Sequence, residues 1–122
     1  MNKLNFLIII VFLSIFFSLG LNIDNDRRSS VAIDYKTAKK LIKQHYFDYI
    51  IDVRSNREWN EGRLPGAIHI PLNELYNGVK LYDMSSNILL YSGLRANTGS
   101  KVLIQMGFKN VKYLKSDYRR LI

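Results

Sequence analysis

The sequence predicts an α/β domain built on a mostly parallel five-stranded sheet flanked by helices, with an N-terminal hydrophobic helix in front of it. Short apolar runs that suit buried parallel strands alternate with segments whose apolar residues recur at helical spacing. This alternation is typical of layered α/β folds. The chain of 122 residues provides for one such domain.

Five apolar runs are the predicted strands: 31–33, 49–53, 67–70, 88–91 and 111–114. Helices are predicted between them at 34–44, 55–60, 72–76 and 95–106, with a short helical turn from Ser116. Asp34 is a good N-cap, and Ser55 with Glu58 forms a capping box. Because ligands of such folds bind beyond the carboxyl ends of the strands, the loop after Tyr91 is the first candidate site.

The charge balance gives two possible interpretations. The formal net charge is +8, and Lys36, Lys40 and Lys43 follow one helical stripe with Lys39 beside it. Such a stripe is either a solvated outer face or a surface attracted to an anionic membrane or an acidic partner. We do not expect nucleic-acid binding, because no basic-aromatic pattern repeats along the chain.

The sequence contains no cysteine. Disulfides, thiolate metal sites and cysteine nucleophiles are therefore excluded for these residues. Its two histidines, His45 and His69, lie in different segments, so we expect no metal site and no cofactor.

The first residues have the pattern of a secretory signal or a membrane anchor. Lys3 is followed by an uncharged, largely apolar stretch from residue 4 to 23, just long enough to span a bilayer. We assign 1–23 to this segment, 24–30 to a polar linker and 31–122 to the folded domain. The basic start predicts that the domain lies outside the cytoplasm, either anchored in the membrane or exported after signal cleavage.

The segment 52–71 closely resembles the signature of the rhodanese family. It begins with Asp52 and Arg54, continues with Glu58 and an aromatic residue, and ends in a Pro65-Gly66 turn before an Ile-Pro pair. Arg63 departs from the family, which usually has histidine there. These motif residues have structural roles in our interpretation: Arg54 is expected to pair with Glu58 at i, i+4, and Pro65-Gly66 to turn the chain into the next strand.

A second match looks like the rhodanese active-site loop. Ser92, Gly93 and Arg95 agree with it in a gapless alignment, which places Leu90 at the family's cysteine position. We adopt this register and expect the Leu90 side chain at the mouth of the loop. The alternative register places Ser92 at the cysteine position and requires a two-residue deletion. The resemblance spans about residues 31–118 and implies a small rhodanese-like domain.

Rhodanese chemistry needs a thiolate, which neither Leu90 nor Ser92 supplies. The resemblance therefore implies an inactive sulfurtransferase homologue without catalytic residues. Together with the N-terminal segment, it leads us to expect a membrane-targeted binding or regulatory module. The alternative is a thiosulfate sulfurtransferase-type enzyme whose thiol comes from a partner. The expected partners are the membrane, through residues 4–23, and a protein or small anion. The loop Tyr91-Ser92-Gly93-Leu94-Arg95 is the candidate anion-binding site, or else a remnant without a ligand.

Overall fold

Five short, mostly apolar segments pair side by side as a wholly parallel sheet, which confirms the predicted α/β fold. The strands are β1 (Val31–Ile33), β2 (Tyr49–Asp52), β3 (Ile68–His69), β4 (Asn87–Tyr91) and β5 (Asn110–Leu114). Their order across the sheet is β1-β5-β4-β2-β3. The centre of the sheet is therefore β4, which pairs with β5 on one side and with β2 on the other.

The computed structural model describes residues 30–122, together with Lys3, Asn5 and Ile8. The predicted membrane segment and linker lie almost wholly outside these residues. Within the described part of the chain, no helix is both long enough and apolar enough to cross a membrane.

Within residues 30–122, four α-helices and one 3-10 turn connect the strands, and a second 3-10 turn follows β5. The α-helices are α1 (Tyr35–Lys43), α2 (Asn56–Glu61), α3 (Leu75–Val79) and α4 (Leu94–Met106), and the 3-10 turns are Leu72–Glu74 and Tyr118–Leu121. The Asp34 side chain accepts a hydrogen bond from the Thr37 amide at 2.8 Å, which caps α1 as expected. The predicted capping box of Ser55 and Glu58 begins α2.

The helix predicted at 72–76 is instead a 3-10 turn followed by α3, which ends at Val79. This shift brings Gly78 against the end of β3. A Cβ atom at Gly78 would lie only 2.7 Å from Ile70 Cγ2, so the close approach requires glycine. The turn before β3 forms as expected: the Ala67 amide donates to the Leu64 carbonyl, and Gly66 has a φ of 83°, which fits a type II turn.

The side chains of β4 divide the core into two layers. Ile88 and Leu90 belong to the layer beneath α3 and α4, whereas Leu89 and Tyr91 belong to the layer beneath α1 and the C-terminal 3-10 turn. Leu90 is 0% exposed. The expectation that its side chain lies at the mouth of the loop is therefore wrong, because strand alternation directs it into the core.

Candidate functional site

A cleft of about 490 Å³ lies at the carboxyl edge of the sheet. Its walls come from the segments that follow β2, β4 and β5, three strands that are neighbours in the sheet. Its lining residues are Arg54, Glu58, Glu61, Tyr91, Ser92, Gly93, Arg95 and the run 115–119. The position is the one at which parallel α/β folds bind ligands.

Asp52 and Arg54 form a buried ion pair behind the cleft. Arg54 Nη2 lies 2.7 Å from Asp52 Oδ2, and its Nε lies 3.0 Å from both carboxylate oxygens. The same Nη2 donates to the Gly62 carbonyl at 2.5 Å, and the guanidinium lies 4.5 Å from the ring centroid of Tyr118. The hydrogen bonds to Asp52 raise the pKa of Arg54. Arg54 is therefore a fixed, fully charged group.

The predicted pairing of Arg54 with Glu58 is wrong. Helix α2 begins at Asn56, so Arg54 precedes its N-cap and lies outside the helical surface on which i, i+4 neighbours meet. Glu58 instead accepts two hydrogen bonds from Arg95, at 2.6 and 2.7 Å. This pair joins α2 to α4. The hydrogen bonds from Arg95 lower the pKa of Glu58 to about 2.

Two serine hydroxyls of the cleft are buried and have no hydrogen-bond partner within the described residues: Ser92 Oγ and Ser116 Oγ. Buried hydroxyls are normally bonded, so two orphans in one cleft indicate a place for a polar ligand. Ser92 also has a φ of 150°, which is unusual for a residue with a Cβ. Strain of this kind costs about 1–3 kcal/mol and concentrates at functional sites.

The other residues of the predicted loop divide between core, cleft and solvent. Tyr91 is almost fully buried, and its hydroxyl accepts a hydrogen bond from the Leu64 amide at 3.1 Å. Burial raises the pKa of Tyr91. Gly93 caps α4 with a positive φ of 62°. Leu94 is 86% exposed and does not line the cleft, and Leu90 is in the core. Ser92, Gly93 and Arg95 therefore form the loop's contribution to the cleft, with Tyr91 at its edge.

Sequence reasoning missed the segment 115–119, which forms one wall of the cleft. Asp117 and Arg119 pair within this wall, and the bond from Arg119 lowers the pKa of Asp117 to about 2. Lys115 adds a cation that has no carboxylate within 4 Å among the described residues. The strand order is the signal that would have revealed this wall, because β5 ends beside β4.

A family model of the rhodanese-like domain matches residues 34–121. Two proteins of Bacillus subtilis strain 168 are related in sequence. YtwF, provisionally named a sulfurtransferase, is 34% identical over 65 residues, which cover 52% of this chain and 63% of YtwF. YrkF, provisionally named a sulfur carrier protein, is 33% identical over 69 residues, which cover 51% of this chain and 35% of YrkF. The matches thus span less than two thirds of either relative.

A solved structure has a similar fold. SSP1007 from Staphylococcus saprophyticus superimposes with a TM-score of 0.65 at 22% identity, and the match covers 75% of this chain and 93% of that one. At this identity the likeness concerns the fold alone. It agrees with the parallel sheet and the flanking helices described above.

The Glu58–Arg95 pair predicts a pH-dependent stability. The pKa of Glu58 is about 2 in the folded state and has an ordinary value of 4.5. Its contribution is therefore fully present above pH 4.5 and is lost as the pH falls through about 2. We expect Glu58→Gln to lower the free energy of unfolding at pH 7, and the difference from the parent to shrink towards pH 2. Urea denaturation across this pH range measures both values.

Glu61→Gln is the matched control, because the Glu61 carboxylate is 65% exposed and lies 3.4 Å from Arg57. An exposed pair of this kind contributes little, so its loss should change stability by less than about 1 kcal/mol. Equal effects of the two substitutions at every pH would contradict the assigned pairing.

The placement of residues 90 and 92 predicts different thiol chemistry at the two positions. In Ser92→Cys we expect a thiol pKa below about 8.5, because the first amides of α4 and the nearby arginines favour the thiolate. In Leu90→Cys we expect a thiol that is protected from alkylation by burial. The sequence has no other cysteine, so the rate of alkylation against pH reports each thiol alone.

Leu81→Cys provides the reference, since Leu81 is 91% exposed and lies outside the cleft. A depressed pKa at position 90 with an ordinary value at 92 would overturn the placement.

Proposed function

Because this chain belongs to the rhodanese-like domain family yet has no cysteine in its 122 residues, we propose that it is a membrane-targeted binding module without sulfurtransferase activity of its own. A persulfide requires a sulfur atom on the protein, and a serine hydroxyl cannot take its place. The observation that supports the proposal is a cleft at the carboxyl edge of the sheet, lined by Ser92, in a sequence that contains no thiol.

The chemistry of the cleft favours a small oxyanion or an acidic side chain of a protein partner. Ser92 and Ser116 offer two unpartnered hydroxyl donors, and α4 begins at the same place with amides that no helical carbonyl accepts. The charge of the cleft is less favourable for binding an anion than its arginine content implies. Arg54, Arg95 and Arg119 are all paired with carboxylates, so among the described residues Lys115 is the main uncompensated cation of the cleft. We therefore infer that an anion binds weakly, through the serine hydroxyls and through the Arg95 side chain, which it shares with Glu58.

A second candidate function is sulfur transfer with a thiol from a partner. The names of YtwF and YrkF favour it, because they describe a sulfurtransferase and a sulfur carrier. In that case the partner's thiol would enter the cleft beside Ser92. The two candidate functions predict different effects of an added thiol. It should enable sulfur transfer under the second and have no effect under the first.

Activity and binding measurements on the purified full chain test the proposal. We expect no transfer of sulfur from thiosulfate to cyanide above a protein-free control, with or without an added small thiol. We expect sulfate and thiosulfate to shift the amide resonances of 92–95 and 115–117 in a titration. Arg95→Gln should weaken this binding about tenfold through the loss of a charged donor. Glu58→Gln should strengthen it, because it releases Arg95.

Arg57→Gln is the matched control for Arg95→Gln, because it removes an arginine from α2 that is 86% exposed and does not line the cleft. Its anion affinity should equal that of the parent. Sulfur transfer that appears only with an added thiol would favour the second candidate. Transfer without one would contradict the inactive module.

We further propose that residues 4–23 bring the domain to the membrane and leave it outside the cytoplasm. The uncharged stretch behind Lys3 supports this proposal. A reporter that is active only outside the cytoplasm, fused after Ile122, should be active. Replacing Ile9 and Phe12 by aspartate should abolish its activity, because charges at the centre of such a segment oppose insertion. A soluble cytoplasmic protein with an intact N-terminus would refute the proposal.

A further inference from the structure

Helix α1 has a strongly basic outer face. Lys36, Lys39, Lys40 and Lys43 fall within a sector of about 100° on the helix, opposite the buried Ala38. All four lysines are exposed, and none lies within 4 Å of a carboxylate in the described part of the chain. The helix itself has no acidic residue. The four lysines, which we call the lysine face, are thus an uncompensated cluster of positive charge.

An apolar groove runs beside the lysine face. It has a volume of about 270 Å³ and is lined by Ile42, Leu64, Pro65, Leu121 and Ile122, with Lys39 and Lys43 at its rim. Ile122 is 74% exposed beside it. An apolar floor with cations at the rim resembles the surface of an interfacial helix. There the cations meet lipid phosphates and the apolar groups enter the region below them.

We propose that the lysine face and this groove dock the domain on an anionic phospholipid bilayer. The inference rests on the proposed membrane attachment through residues 4–23, because a chain anchored there keeps the lysine face near lipid. The linker 24–30 is seven residues long and reaches at most about 25 Å when extended. This tether confines the domain to a layer next to the bilayer, where an anionic headgroup within a Debye length of about 10 Å attracts each lysine.

The absence of native cysteines allows a direct test of orientation with the full chain. A fluorophore is attached at Thr37→Cys, beside the lysine face on α1, or at Gln105→Cys, exposed on α4 across the sheet. The chain is mixed with phosphatidylcholine vesicles, with or without about a third phosphatidylglycerol, and quenched by spin-labelled lipid headgroups. We expect stronger quenching at position 37 than at 105, but only with anionic lipid, and a loss of this difference at about 0.5 M salt.

A charge-matched pair of variants separates the effect of the lysine face from the effect of net charge. Lys39→Glu with Lys43→Glu should abolish the difference in quenching. Lys80→Glu with Lys101→Glu, which changes the same charge on exposed residues of the other side, should leave it intact. Equal quenching at both positions, or a difference that persists on neutral vesicles, would overturn the proposal. The proposal would also be overturned if lipid left the fluorophore at position 37 unquenched while the lysine face bound an acidic protein.

Flotation of the same samples distinguishes this inference from the proposed anchoring. A chain that floats with neutral vesicles is anchored, whatever its orientation. A chain that floats only with anionic vesicles lacks the anchor but retains the docking surface. A chain that floats with neither refutes both.

Discussion

The buried ion pair of Asp52 and Arg54 determines the shape of the carboxyl edge of the sheet. Asp52 is the last residue of β2, and Arg54 extends from it to the Gly62 carbonyl and beneath the ring of Tyr118. One guanidinium thus connects the central strands, the end of α2 and the C-terminal wall. Removing either partner would leave an unpaired buried charge, at a cost of about 3–5 kcal/mol. The pair therefore helps to hold the walls of the cleft in place.

Ion pairing of this kind also bears on the proposed anion binding of the cleft. Three arginines line it, but each forms an ion pair: Arg54 with Asp52, Arg95 with Glu58 and Arg119 with Asp117. A ligand has to compete with these carboxylates or use the serine hydroxyls and the amides of α4. Such a site distinguishes ligands mainly by the geometry of their oxygen atoms. This suits recognition of a specific group better than attraction of any anion.

The sequence predicted the sheet and most of the helices, because these depend on local patterns. Apolar runs, the Asp34 cap and the capping box of Ser55 and Glu58 each involve residues close together in the chain. The ion pairs could not be predicted in this way. Glu58 and Arg95 are 37 residues apart, and their contact depends on how α2 and α4 sit on the sheet. The wall at 115–119 was missed for the same reason, since only the strand order places it beside the loop.

Strand alternation bears on the question of which residue stands at the family's cysteine position. The side chains of β4 alternate between two core layers, so Leu90 points into the core and away from the cleft, and Tyr91 is almost fully buried. Ser92 is the first residue beyond the strand, and it lines the cleft, although its hydroxyl oxygen is itself buried. The geometry therefore favours the register with Ser92 at that position.

That register implies a loop two residues shorter than in the family, with fewer amides to cradle a substrate. The strained φ of Ser92 is in keeping with this shorter connection, because β4 must pass into α4 through only Ser92 and Gly93.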